Sequence, residues 1–137
     1  MADDRVEYIN PPDLVDYTDH FTQVVAVPAG HRLVFVSGQI GAKADGVLVS
    51  DDFEGQIEQS FINLRAALAA VGARPDQVVK IDVLIVDHSE AKLPVLGAQV
   101  DAMWGNRKPA STLIPVPRLA EDDMLFEIDA IAAVPVE

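Results

Sequence analysis

The stretch that decides the fold is residues 56–86, which read QIEQSFINLRAALAAVGARPDQVVKIDVLIV. Its first half repeats apolar side chains at alternating spacings of four and three, which places them on one stripe of an α-helix. The stripe consists of Ile57, Phe61, Leu64, Leu68 and Val71. Acidic residues at positions 51, 52 and 54 suit the positive N-terminal end of this helix, and Gly72 predicts its end.

The second half of the stretch, Val78 to Val86, is rich in β-branched residues. Lys80 and Asp82 alternate there with apolar side chains, as in a strand that has one solvated face. The sequence therefore predicts a helix that leads directly into a strand.

On the N-terminal side, Gln23 to Val27 and Arg32 to Gln39 are rich in Val, Leu and Phe. The turn chemistry of Pro28-Ala29-Gly30-His31 between them predicts a β-hairpin. Its second arm ends in Ser37-Gly38-Gln39-Ile40-Gly41, where the two glycines allow a sharp turn or a close approach to another group.

On the C-terminal side, a second helix is predicted with its apolar face at Leu93, Leu96, Val100 and Met103 or Trp104. Gly105-Asn106 ends it. The segment 111–116 is a predicted strand at a sheet edge or with a bulge, because Pro115 and Pro117 cannot donate to a ladder.

The last segment, Met124 to Val134, alternates between two faces. One face carries Phe126, Ile128, Ala130, Ala132 and Val134, and the other carries Leu125, Glu127, Asp129 and Ile131. The resulting order, β-β-α-β-α-β-β, predicts an α/β (α+β) fold with a single mixed sheet and two helices on one face. Residues 1–137 are predicted to form one domain, and the mixed character of the other sheet face favours self-association.

Composition excludes several functional classes. No window approaches the roughly 18 uninterrupted apolar residues of a membrane span, and the start, Met1 to Arg5, lacks the layout of a secretion signal, so the expected location is cytoplasmic. A net charge of −12 argues against a nucleic-acid partner. The chain has no Cys, and its His residues lack metal-binding spacing, so we expect neither a metal nor another cofactor.

Four blocks of the chain, spanning about residues 17–134, resemble the YjgF/RidA family in order and spacing. They are Phe21-Thr22-Gln23, residues 36–41, residues 63–80, and Pro109-Ala110 through residues 127–132. The resemblance implies a chorismate-mutase-like fold, assembled as a homotrimer whose sheets form an inner barrel and whose small-molecule clefts lie between subunits. It also implies hydrolytic deamination of reactive 2-imino or 2-enamino acids.

In the family, the attacking water is associated with a Glu that corresponds to Glu127, and an Arg after the Pro-Ala pair grips the substrate carboxylate. Here Ser111 occupies the place of that Arg. A desolvated carboxylate that loses such a partner forfeits about 2–5 kcal/mol. Phe21 also stands where deaminating members often carry Tyr, and near Gly97 they often carry Asn. The resemblance thus implies a pocket remodelled for a less anionic ligand.

Glu127 is the catalytic candidate, because a carboxylate in an apolar strand is costly unless it is paired or faces a wet cleft. A structural ion pair across the subunit boundary is the alternative. The candidates for binding a small-molecule metabolite are Phe21, Ser37, Gly38, Ser111, Thr112, Leu113, Arg107 and Arg118. Arg107 and Arg118 are included because either could replace the lost cation if the chain bends suitably.

Three functions remain open at this stage. The first is hydrolysis of a small imine or enamine, with Glu127 as the catalytic group. The second is a non-catalytic trimer that binds a metabolite, which the missing Arg favours. The third is ribonuclease activity, which the acidic charge balance places last.

Overall fold

The computed structural model describes residues 4–137, and Met1 to Asp3, on which the prediction about a secretion signal partly depends, lie outside them. The strands are β1 (Glu7–Ile9), β2 (Val24–Ala26), β3 (His31–Ile40), β4 (Val78–Val86), β5 (Ala110–Val116) and β6 (Phe126–Pro135). The helices are α1 (Phe53–Ala69) and α2 (Leu93–Trp104). Single 3-10 turns precede β4 and α2, at Pro75–Gln77 and Glu90–Lys92.

The main sheet has four strands in the order β3-β6-β4-β5. Strand β6 runs antiparallel to both neighbours, whereas β4 and β5 are parallel. Parallel neighbours need a crossover connection, which α2 provides. The predicted fold class, a mixed sheet with two helices, is confirmed, as is the edge position of β5. No helix within residues 4–137 combines the length and the apolar character needed to cross a bilayer.

The predicted hairpin between the segments at 23–27 and 32–39 is wrong. Strand β2 pairs instead with β1, a strand that the sequence pattern does not predict, and the two form a separate small sheet. The partner of β3 is β6, which offers a much longer ladder than the three residues of β2. The predicted turn at residues 28–31 contacts the segment that follows β6, because the Val136 N–H donates to the Gly30 carbonyl.

The core lies between α1, α2 and one face of the sheet. Four members of the predicted helix stripe are buried in it, but Val71 is 42% exposed because α1 ends at Ala69. Phe126 of β6 is the largest fully buried side chain, and its ring packs 5.8 Å from that of Phe53 and 6.1 Å from that of Phe61. Such aromatic contacts bury much apolar surface at one point, which locks α1 onto β6.

A buried amide joins α1 to the segment that enters β6. Gln56 is 0% exposed, and its Nε2 donates to the carbonyls of Ser50 and Asp123, at 3.0 and 2.9 Å. Its Oε1 accepts a hydrogen bond of 2.8 Å from the Leu125 N–H. Gly41 packs against the same residue, since a Cβ on Gly41 would lie 2.5 Å from the Gln56 Cα. We call this set of contacts the Gln56 junction.

We expect Gln56→Met to lower the free energy of unfolding by at least about 2 kcal/mol, because it leaves the Leu125 N–H and two carbonyls without partners. Methionine keeps the length of the side chain, so the loss reports the hydrogen bonds. Urea denaturation followed by circular dichroism measures it.

The matched control is Gln99→Met in α2, where the glutamine amide makes no hydrogen bond within the described part of the chain. This control should change the unfolding free energy by less than about 0.5 kcal/mol. Equal losses in both variants would contradict the assigned role of Gln56.

Candidate functional site

A cavity of about 300 Å³ lies between α2, the helix-facing side of β4 and β5, and the segment before β2. Its walls are mostly apolar, with Leu96 and Val100 from α2 and Ile81 from β4. Ser111 and Leu113, two residues apart on β5, point into it. The Ser111 hydroxyl is thus one of few polar groups that this wall offers to a ligand.

We call this cavity the Ser111 cavity. Residues of the segment 17–21, most of them exposed, line its mouth. The Tyr17 ring packs on the Phe21 ring with centroids 5.3 Å apart, and the Phe21 N–H donates to the Tyr17 carbonyl. Thr22 anchors the segment, because its N–H donates to the Pro109 carbonyl and its hydroxyl to the Lys108 carbonyl. The family resemblance pointed to Phe21, whereas Tyr17, Asp19 and His20, which also line the cavity, were not predicted. The spacing of four between the two aromatic residues was the available signal.

Neither candidate arginine lines this cavity. The Arg107 guanidinium lies 4.6 Å from the centroid of the Tyr8 ring and donates to the Asp76 carbonyl, beside a separate cavity of about 620 Å³. Arg118 is paired with Asp122 at 3.0 Å and donates to nearby carbonyls. Among the residues that the structure describes, no Lys or Arg of the same chain therefore lines this cavity.

Glu127 lies on the opposite face of the sheet from Ser111. On β6 it alternates with the buried Phe126 and Ile128, and its neighbour across the ladder is Leu84 of β4. Thr112 shares this open face, where its hydroxyl accepts a hydrogen bond of 2.8 Å from Lys80 Nζ. Within a single chain, the sheet therefore lies between the Glu127 carboxylate and the Ser111 cavity.

A β-bulge shapes the surroundings of Glu127. Between the pairs Val36–Ala130 and Gln39–Ile128, β3 contributes Ser37 and Gly38 where β6 contributes one residue. The Glu127 carboxyl lies against Gly38, since a Cβ there would come within 2.4 Å of its Cδ and Oε2. Within residues 4–137 the half-buried Glu127 carboxylate makes no hydrogen bond or ion pair. It is free to act on a water or a ligand.

The open face also carries a pair of carboxylates, Asp82 and Asp129, on adjacent strands. The Asp82 N–H donates to Asp129 Oδ1 at 3.3 Å, and Lys80 Nζ lies 3.2 Å from Asp82. Partial burial, followed by the negative charge of Asp82, raises the pKa of Asp129 above its ordinary value. The pair makes this face sensitive to pH.

Among the residues described, no three His, Asp or Glu side chains come together in a group that could hold a metal ion. His31 Nδ1 lies 3.0 Å from the Pro28 carbonyl, and His20 lines the Ser111 cavity. His20 therefore brings an imidazole to the wall of the Ser111 cavity.

Comparison with known proteins gives a consistent result. The family model described as endoribonuclease L-PSP matches residues 15–134. The chain is 36% identical over 109 residues to a RutC family protein of Pyrococcus horikoshii, which covers 78% of this chain and 82% of that protein. It is 30% identical over 103 residues to 2-iminobutanoate/2-iminopropanoate deaminase of Salmonella typhimurium, covering 73% of this chain and 78% of the relative.

The crystal structure of YyfB from Yersinia pestis, described as a conserved Rid family protein of unknown function, matches with a TM-score of 0.87. The two chains are 32% identical, and the match covers 94% of this chain and 98% of that one. A crystal structure described as a putative endoribonuclease, from Thermotoga maritima, matches with a TM-score of 0.66 at 28% identity, covering 83% and 91%.

Two glycine substitutions should differ in their cost to stability, because an added Cβ meets a side chain at Gly38 and the backbone at Gly41. We expect Gly38→Ala to move the Glu127 carboxylate and to change the unfolding free energy by less than about 1 kcal/mol, because only a flexible side-chain end must give way. Gly41→Ala should cost about 1–3 kcal/mol, because its Cβ meets the Gln56 backbone. Urea denaturation and a crystal structure of the Gly38 variant check this; equal stability changes or an unmoved Glu127 would contradict it.

Stability should also depend on pH through Asp129. Because its pKa is raised in the folded chain, folding favours the protonated form, and ionised Asp129 costs stability that is relieved as pH falls. We expect Asp129→Asn to raise the melting temperature near pH 7, with the gain shrinking toward about pH 4.

The control for this pH dependence is Asp52→Asn, at the N-cap of α1. Hydrogen bonds, first from the Gly55 N–H and then from Ser50, lower the pKa of Asp52, so its ionised form stabilises the fold above its ordinary pKa and loses this effect as pH falls. Its replacement should lower the melting temperature near pH 7 and have less effect in acid. Shifts of the same sign in both variants would refute the assignment.

Proposed function

The chain belongs to the YjgF/RidA family, and on that premise we propose that it hydrolyses a small imine or enamine to a carbonyl compound and ammonia. We propose further that it works in the cytoplasm as a homotrimer with one cleft at each subunit boundary. The similarity to 2-iminobutanoate/2-iminopropanoate deaminase supports the reaction class. The absence of cysteine suits a reducing compartment.

The observation that carries the proposal is the separation of two incomplete sites. The Ser111 cavity has apolar walls, a hydroxyl and an aromatic mouth, but the Glu127 carboxylate is not among its lining residues. Glu127, with the bulge at Ser37-Gly38, lies unpaired on the other face of the sheet. If the cavity of one copy meets Glu127 of the next, the two incomplete sites become one.

Such a contact joins different surfaces of two identical chains, so it is heterologous and must close into a ring to avoid an open filament. A ring of three satisfies this condition. The open sheet face has the apolar surface that association needs, because the Phe35 side chain there is 72% exposed and Leu33 and Ile114 are also exposed.

In the proposed reaction, the Glu127 carboxylate takes a proton from water while the water oxygen bonds to the imine carbon. The electron pair of the C=N double bond moves to the nitrogen, which takes the proton from the Glu127 carboxyl group and gives a tetrahedral carbinolamine. The hydroxyl proton of the carbinolamine then passes by way of Glu127 to the nitrogen as the C–N bond breaks, so ammonia leaves and the carbonyl forms. Imine and water are thus converted into carbonyl and ammonia, with Glu127 regenerated.

A non-catalytic trimer that binds a metabolite is the second candidate. It is favoured by the absence of any Lys or Arg among the residues that line the Ser111 cavity, since the substrate carboxylate of the deaminases would find no cation there. Ribonuclease activity ranks last. The family model and one structural relative bear that name, but a net charge of −12 would repel the phosphate backbone of RNA.

Glu127→Gln should reduce ammonia release by roughly 10²–10⁴-fold, because it removes the proton acceptor and leaves the shape of the side chain. The assay generates imines in place with amino-acid and amine oxidases and detects ammonia with a coupled dehydrogenase. The control is Glu58→Gln, an exposed residue of α1, which should retain full activity. Full activity in the Glu127→Gln variant would contradict the role of Glu127 as the proton acceptor. If the unmodified chain has no activity on any imine, the non-catalytic binding function is favoured instead.

Mixed oligomers test whether the site is shared. Leu113→Trp should fill the cavity and Glu127→Gln should remove the carboxylate, so each variant alone is inactive. Co-expressed in equal amounts with different tags, they should recover about a quarter of the wild-type rate, because random rings contain clefts with one intact half from each chain. No recovery in purified mixed oligomers would show that the cavity of one chain and Glu127 of another do not form one site.

A further inference from the structure

A second cavity of about 710 Å³ adjoins the Ser111 cavity. The two share four lining residues, which are Asp19, His20, Leu93 and Gly97. We call the Ser111 cavity the inner chamber, the second cavity the outer chamber, and the pair the two-chamber cleft. The shared residues form the junction through which a ligand in one chamber can extend into the other.

Gly97 keeps this junction open. It lies in the interior of α2, where glycine costs about 1 kcal/mol relative to alanine. No packing requires it, because a Cβ at this position would meet no heavy atom within 4 Å. The helix therefore carries a residue that lowers its stability at the point where a longer side chain would enter the two-chamber cleft.

The charge of the two-chamber cleft is negative. Among the described residues that line it, the one lysine is Lys108. The Lys108 side chain is only 7% exposed, and its Nζ lies 3.0 Å from Asp101 Oδ1 and donates to the Gly105 carbonyl at 2.7 Å. This lysine is already engaged, and Asp101 itself remains 64% exposed. Asp19, at the junction, makes no ion pair or hydrogen bond within residues 4–137. A carboxylate ligand would be repelled here, whereas a cation would be attracted.

We propose that the two-chamber cleft selects small organic cations: an apolar body enters the inner chamber, and a protonated nitrogen lies at the junction beside the Asp19 carboxylate. The corresponding substrates are imines of amines that have no carboxylate, which react in the protonated, iminium form. Hydrolysis then converts an iminium ion and water into a carbonyl compound and an ammonium ion, so charge is conserved. This inference rests on the proposed function for the reaction, but the binding preference is measured without turnover.

The test compares three probes with the same apolar body, which are benzylammonium, benzyl alcohol and phenylacetate. Titration calorimetry near pH 7 on the full chain gives their dissociation constants. We expect benzylammonium to bind about five- to tenfold more tightly than benzyl alcohol, and phenylacetate to bind most weakly. Equal or tighter binding of phenylacetate would overturn the proposal.

Two variants locate the preference. Asp19→Asn should bring benzylammonium to the affinity of benzyl alcohol without changing the latter, whereas Asp45→Asn, in an exposed loop, should change neither. Gly97→Leu should weaken all cationic and neutral probes, and Gly97→Ala should fold at least as stably as wild type because its Cβ meets open space. If the Asp19→Asn variant still binds benzylammonium more tightly than benzyl alcohol by the full wild-type factor, the cation does not lie beside Asp19 and the proposal is wrong.

The outcomes separate this inference from the proposed function. Selective binding of ammonium probes without Glu127-dependent ammonia release would uphold the two-chamber cleft and reject the hydrolase. Hydrolysis of imino acids without ammonium binding would do the reverse.

Discussion

The arrangement of the whole site depends on the buried amide of Gln56. Its three hydrogen bonds hold the first turn of α1 against the backbone that enters β6, two residues before Glu127. Gly41 closes the same junction from the side of β3, so the bulge that leaves room for the Glu127 carboxylate is fixed from both neighbouring elements. Buried polar groups that are fully paired impose one geometry, because any shift leaves a donor or acceptor without a partner.

Hydrophobic periodicity in the sequence was sufficient to predict α1, α2, β4, the edge strand β5 and the alternation of β6, because local patterns encode these elements directly. Long-range pairing was not encoded locally. The segment before Pro28 was assigned to the wrong partner because turn chemistry says nothing about the longer ladder that β6 offers to β3. The Gln56 junction was missed for the same reason, since a polar residue on a helix stripe shows its partners only in three dimensions.

The candidate site was predictable in its parts but not in its arrangement. The family resemblance pointed to Phe21, Ser111 and Leu113, which do line one cavity, and to Glu127, which lies elsewhere. Because successive side chains of a β-strand point to opposite faces, that carboxylate and the cavity lie on opposite sides of one sheet. A ring of copies is the simplest arrangement that brings them together. Self-association is then a requirement of the proposed chemistry, and the exposed apolar side chains of the open face are what it would bury.

Strand β5 forms the outer margin of the main sheet, and its proline interrupts no ladder there. Glu127, by contrast, belongs to β6, one of the two inner strands of the main sheet. Substitutions in an edge strand generally disturb the packing of a sheet less than substitutions in an inner strand. A change of side chain at position 111 therefore costs the fold little. Under the proposed function, the side chain that faces the ligand at position 111 can thus change without disturbing the strand that carries Glu127.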